Sequence, residues 1–181
     1  MLAKAVFLDR DGTLMEDVGY PRDPDQVRLL PGVVDGLAAC RDAGFKLSII
    51  SNQSGVGRGY FGADAVAAVH RRLLELLEAE GIHIDDAQYC LHAPEEHCAC
   101  RKPSPLMLQR SAAQLGTDLA ASFMVGDKPS DVEAGQRAGC RSILLRPDAD
   151  DTAVGAQRVA CCWPEVTRII LGKEARRGHD R

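Results

Sequence analysis

The chain predicts an α/β fold, a doubly wound, Rossmann-like parallel sheet, and two observations carry that prediction. Short apolar runs alternate with stretches of helical periodicity, and the helical stretches stop at glycines. Polar or acidic residues follow the apolar runs, which gathers them beyond the carboxyl ends of the strands, where open α/β sheets bind ligands. The 181 residues suit one domain, expected to bury ~70% of the surface its unfolded chain exposes. No repeat or second domain is visible.

The first strand, Ala5 to Leu8, is an apolar run of fully buried type that delivers Asp9 and Asp11 into a turn closed by Gly12 and Thr13. Residues two apart on extended backbone point to one side, so both carboxylates can address one substrate and favour a cation between them. Leu14 to Pro31 is long, polar and aperiodic, hence either disordered or a flap over the site; Gly19, Tyr20 and Pro21 favour an ordered flap. Val33, Val34, Leu37 and Ala38 share one face of a helix over Gly32 to Ala43, stopped by Gly44. Lys46 to Ile50 reads as the second strand, running into Ser51, Asn52, Gln53 and Ser54.

From Ala63 to Glu80, Val66, Val69, Leu73, Leu74, Leu76 and Leu77 recur at helical spacing, with His70 read as structural. Ala87 to Leu91 is a weak third strand, Pro105 opens a helix to Leu115, and Ser122 to Val125 is a fourth strand ending at Gly126 and Asp127. Ser130 with Glu133 reads as a capping box for a short helix closed by Gly139. A fifth strand spans Ser142 to Leu145, Asp148 to Gly155 reads as loop, and Glu165 to Leu171 as the last helix. The tail 173–181 is charged and expected to fray, which leaves 1–172 as the single domain.

A formal charge of −4 gives no reason to expect a nucleic-acid or anionic-membrane partner. No apolar run approaches the ~18 residues of a membrane span, and the first strand starts too early for a cleavable signal, so a cytoplasmic monomer acting on a small molecule is expected. Of seven cysteines, Cys40 and Cys140 lie in apolar settings and read as core, while Cys161 and Cys162 receive no reading. Cys90, His92, Cys98 and Cys100 offer the four soft ligands of a closed tetrahedral zinc site, with His97 as a spare candidate. A structural zinc there would clamp loop 90–100 and deliver Arg101 and Lys102 together.

Taken in order, DRDGT at the first strand, SNQ at the second, RKP before the fourth and GDKPSD after it resemble the motifs of the haloacid dehalogenase superfamily of phosphatases. The resemblance spans nearly the whole chain and implies the fold of that superfamily with a minimal cap. It implies that Asp9 is the nucleophile, forming an aspartyl-phosphate, and that Asp11 is the general acid and base. By the same resemblance Ser51 and Lys102 hold the phosphoryl oxygens. Mg2+ sits on Asp9, the Asp11 backbone carbonyl and Asp127, while Lys128 and Asp131 orient the metal side.

The zinc loop followed by CRKP is similar to a subgroup containing D,D-heptose 1,7-bisphosphate phosphatases and histidinol-phosphate phosphatases. SNQSGVGRGYF, with Gly19 and Tyr20, is closer to the heptose type, although Ser51 stands where threonine is usual. That implies a sugar bisphosphate losing its 7-phosphate, in the supply of heptose for cell-surface polysaccharide. Arg101 would grip a phosphate bidentately, and Asp17, Gly19, Tyr20, Asn52, Gln53, Ser54 and Lys128 would line the rest of the pocket. Arg58 is as well explained by a solvated loop as by substrate contact. A receiver domain phosphorylated on aspartate is the rival of a different class, but it has no use for Asp11 as an acid/base.

Overall fold

The structure is a computed structural model that describes residues 2–147 and 158–172. The loop expected at Asp148 to Gly155 and the charged tail lie outside those residues. A parallel sheet runs in the order β3-β2-β1-β4-β5-β6. Its strands are β1 (Lys4–Leu8), β2 (Phe45–Asn52), β3 (Asp86–Cys90), β4 (Phe123–Gly126), β5 (Arg141–Leu145) and β6 (Arg158–Ala160). The helices are α1 (Val33–Asp42), α2 (Ala63–Ala79), α3 (Leu106–Leu115), α4 (Pro129–Ala138) and α5 (Trp163–Ile170).

Alternation along β1 builds both layers of the core. Val6 and Leu8 join Ile49, Leu37, Val69, Leu73 and Trp163 on one face, whereas Ala5 and Phe7 join Ile50, Met107, Leu108, Met124 and Ala134 on the other. With β1 central, pairing Leu8 with Ile49 of β2 and with Val125 of β4, the strand ends that carry polar residues emerge side by side. Asp9 N–H then donates to the Val125 carbonyl at 2.9 Å, so the first acid still sits in the strand's register.

Three expectations are corrected. The sheet has a sixth strand, Arg158–Ala160, too short to show alternation in the sequence. β2 runs on through Ser51 and Asn52, which places these residues in the strand because they pair with Tyr89 and Cys90 of β3. The helix expected to begin at Ser130 begins at Pro129 with Lys128 as its N-cap, and Asp131 in its first turn accepts the Lys128 N–H at 3.0 Å. Proline at the first helical position has no N–H to orphan, so that start satisfies the backbone better. The flap, by contrast, is ordered: Leu14, Met15 and Val27 are buried and Met15 bridges Leu29.

Candidate active site

The turn after β1 is held from within. Leu14 and Met15 N–H groups donate to the Arg10 carbonyl at 2.9 and 3.1 Å, and Gly12 N–H donates to the Met15 carbonyl at 2.8 Å. Gly12 adopts φ 78°, and a Cβ there would lie 2.5 Å from Asp127 Oδ2, so only glycine lets the turn close against that carboxylate. Trp163 supports the same turn from α5, its indole N–H donating to the Thr13 carbonyl at 2.8 Å.

Lys102 crosses the site. Its Nζ lies 2.7 Å from Asp9 Oδ1, 2.7 Å from Asp131 Oδ1 and 2.6 Å from the Ile50 carbonyl, with the side chain fully enclosed. Burial pulls the ammonium down, but the Asp131 and Asp9 carboxylates outweigh it and its pKa rises, so it stays charged. Burial likewise raises Asp9 above the usual carboxylate range, against the pull of Lys102.

Asn52 holds Lys102 in place. Its carboxamide oxygen accepts the Lys102 N–H at 3.0 Å and its amide donates to the Lys102 carbonyl at 3.2 Å. That side chain is therefore spent on the protein, although the residue also lines the cavity. Gln53 is similarly employed, donating to Asp11 Oδ2 at 2.7 Å and to the Ser51 hydroxyl at 2.9 Å.

Asp11 faces a different partner from Asp9. Arg10 Nε and Nη2 donate to its two oxygens at 2.9 and 3.1 Å, and Arg10 is completely buried. Sequence reasoning missed Arg10, because an arginine between two acids looks like a solvated turn residue; its one signal was lying within the motif. Ser130 was also missed as a wall residue, having been read only as a cap.

The cavity of about 190 Å³ is lined by Asp9, Asp11, Gly19, Tyr20, Ser51, Asn52, Gln53, Ser54, Arg101, Lys102, Lys128, Ser130 and Asp131. Asp17, expected in the pocket, stands outside that wall, as does Arg58, for which both readings were open. Asp17 is ion-paired with Lys128 at 3.1 Å and accepts the Gly19 N–H at 2.8 Å, so it ties the flap rather than lining the pocket. Arg58 pairs with Glu95 at 3.3 Å, which favours its reading as a loop arginine.

Asp9, Asp127 and Asp131 bring carboxylate oxygens within 4.8 Å of one another. Asp127 Oδ1 is buried without a hydrogen-bond partner. An orphaned carboxylate oxygen beside two more hard oxygen donors is what a magnesium ion would use, so these residues fit the ion that the motif resemblance implies. Burial pushes Asp127 up to about 7, with Lys128 opposing and Asp9 adding to the rise.

Beyond the cavity, Cys90, His92, Cys98 and Cys100 converge. Their sulfurs lie 3.1 to 3.6 Å apart, and His92 Nδ1 lies 3.4 Å from Cys100 Sγ. Sulfurs on a common tetrahedral zinc would be ~3.7 Å apart, so the cluster is zinc-sized; His97 stands outside it, at the end of the turn Pro94–Glu96. Burial pushes the Cys90 thiol up to about 12, whereas hydrogen bonds from Cys90 and the Arg101 backbone outweigh desolvation at Cys98 and bring it to about 7. Arg101 Nη1 reaches the His92 carbonyl at 3.4 Å, joining this loop to the cavity wall.

A HAD-hydrolase-like family model matches residues 99–160. A relative from Mesorhizobium japonicum, named D-glycero-beta-D-manno-heptose-1,7-bisphosphate 7-phosphatase, is 43% identical over 75% of this chain, which spans 65% of that relative. One of the same name from Pasteurella multocida is 35% identical over 94% of this chain and 98% of its own length. Among solved structures, D,D-heptose 1,7-bisphosphate phosphatase from B. bronchiseptica, complexed with magnesium and phosphate, matches with a TM-score of 0.84 at 30% identity, covering 94% of this chain and 99% of that one. A HAD-like phosphatase from Mesorhizobium loti matches at 0.85 and 35% identity, covering 98% and 90%.

Proposed function

This chain belongs to the haloacid-dehalogenase-like phosphatases, and from that membership we propose that it removes the 7-phosphate of D-glycero-D-manno-heptose 1,7-bisphosphate, as its relatives' names say of them. The observation that carries the reading is Asp9: one carboxylate oxygen is tied to Lys102 at 2.7 Å while the residue also borders an open polar cavity. The other oxygen is then placed to attack phosphorus. The P–O bond to the sugar breaks as the Asp9 oxygen bonds to phosphorus, and the leaving alkoxide takes a proton from Asp11. Water then attacks the aspartyl-phosphate, gives its proton to Asp11, and phosphate departs with Asp9 restored.

Lys102 counters the charge on the transferring group, Ser51 offers it a hydroxyl, and Arg10 with Gln53 holds Asp11 in reach. Asp9 and Asp127 with the Asp11 backbone carbonyl would hold Mg2+, and Asp131 would steady them; when bound, the ion supplies electrostatic stabilisation of the phosphoryl oxygens. Arg101, Lys128, Gly19 and Tyr20 receive the rest of the sugar phosphate. We take the Cys90 cluster as a zinc site that fixes this wall. We also take residues 1–172 as one phosphatase domain, monomeric and cytoplasmic. Cysteines gathered as metal ligands favour a reducing compartment.

Phosphate release with Mg2+, measured side by side on the heptose bisphosphate and histidinol phosphate, tests the reading. Faster turnover of the bisphosphate is expected, with Asp9→Asn folded and inactive; preference for histidinol phosphate would overturn the substrate.

A further inference from the structure

We propose that Cys161, Cys162 and Glu165 form a second soft-metal site, taking a thiophilic divalent cation such as Zn2+ through two sulfurs and a carboxylate oxygen. None of the three lines the phosphate cavity or belongs to the Cys90 cluster, so the site is independent of both readings above.

One ligand atom from each residue lies within 4.8 Å of the others. The two sulfurs are 3.5 Å apart, close to the ~3.7 Å separation of thiolates on a tetrahedral zinc. Glu165 is already oriented, because Oε2 accepts the Cys161 N–H at 2.8 Å and Oε1 pairs with Arg168 at 3.2 Å. Carboxylate oxygens have further lone pairs, so these contacts aim the group without exhausting it. Cys162 also stands at the N-cap position of α5, whose amino end favours anionic sulfur. Two thiolates and one carboxylate select zinc or a softer ion over magnesium, and three ligands leave one position to water.

The site has a route to the catalytic turn. β6 is parallel to β5, so Cys161 leaves the sheet on the same edge as Asp9, three strand spacings or ~14 Å away. The residue after Cys162 is Trp163, buried and hydrogen-bonded to the Thr13 carbonyl at 2.8 Å. It is also the chain's single tryptophan, which makes it a built-in reporter.

The test uses the full chain, reduced with a phosphine, given one equivalent of Zn2+ to fill the Cys90 cluster and excess Mg2+ to fill the Asp9 and Asp127 carboxylates, then titrated with Co2+ while Trp163 fluorescence is read. Saturable quenching at one equivalent is expected, together with thiolate-to-cobalt absorption. Both should vanish in the doubly substituted Cys161→Ser, Cys162→Ser protein, which should carry one ion fewer in native mass spectra. Cys161→Ser alone, altering an exposed residue, repeats the comparison if the double variant unfolds. Unchanged quenching and ion count in the serine variants, or no saturable quenching in the parent, would overturn the site. Failure of the Cys90 cluster to take zinc would shift both titrations alike and leave the difference between them readable.

Discussion

Asn52 illustrates how a residue can border a site yet serve the protein. Both ends of its carboxamide are bonded to the Lys102 backbone, so its loss should misplace the ammonium rather than weaken the grip on sugar. Asn52→Ala is expected to lower kcat by ~10-fold or more with KM little changed, since a small misplacement of a catalytic group is costly. Steady-state kinetics check it, and a rise in KM alone would return Asn52 to substrate binding. Asp127 carries a pH signature. With its carboxyl near 7, the metal-free site is mostly protonated below neutrality, and cation binding must expel that proton. Mg2+ affinity should therefore rise ~10-fold from pH 6 to 8, as the ionised fraction goes from about a tenth to about nine-tenths. Calorimetry in buffers of different ionisation enthalpy measures the proton released. For folding of the metal-free chain the sign follows from the raised pKa: this group's contribution is full below about 3.8 and is lost as pH climbs through about 7. At this scale the motif acids were legible because sequence alone puts them at strand ends, and Lys102 because RKP stands just before a helix start. Arg10 was not, since nothing in DRD says that the guanidinium turns inward to meet Asp11.

Among the elements, the segment from Cys90 to Lys102 is where the proposed zinc site would meet the proposed catalytic lysine. It contains no helix longer than the turn Pro94–Glu96, so side-chain ligation has to supply the order that a hydrogen-bonded element would otherwise provide. Chelating zinc, or making Cys98→Ser, should lower thermal stability and phosphate release together, because Arg101 and Lys102 are continuous with the ligands. Differential scanning calorimetry and activity on the same samples decide this; unchanged melting after verified zinc loss would remove the structural role. The cluster was readable because four ligands fall within one short stretch. The start of α4 was misread for the opposite reason: Ser130 and Glu133 fit a capping pattern, but Pro129 and the doubly used Asp131 carboxylate set the true boundary. β6 escaped notice because a three-residue strand, paired with β5 at the end of the sheet, carries no periodicity.

Across the molecule, α5 reaches the active edge only because α1 lets it approach. Gly36 lies in the buried face of α1, and a Cβ there would sit 2.5 Å from Trp163 Cε3 and 2.8 Å from Thr167 Oγ1. Two effects oppose each other in Gly36→Ala. Helix propensity favours alanine by ~1 kcal/mol, whereas overpacking a filled core costs ~1–3 kcal/mol. The ring cannot retreat freely, since Trp163 is buried and its indole is committed to Thr13. Overpacking should therefore win, with a net loss of up to ~2 kcal/mol and a fall in melting temperature of ~2–4 °C per kcal/mol. Displacing Trp163 also removes the donor to the turn carrying Asp9 and Asp11, so kcat should fall with stability while Trp163 fluorescence shifts to the red as the indole meets water. Denaturation followed by that fluorescence, alongside kinetics at a temperature where the variant is fully folded, separates the two losses. A variant as stable as the parent would mean that α5 slides without cost and does not brace the catalytic turn.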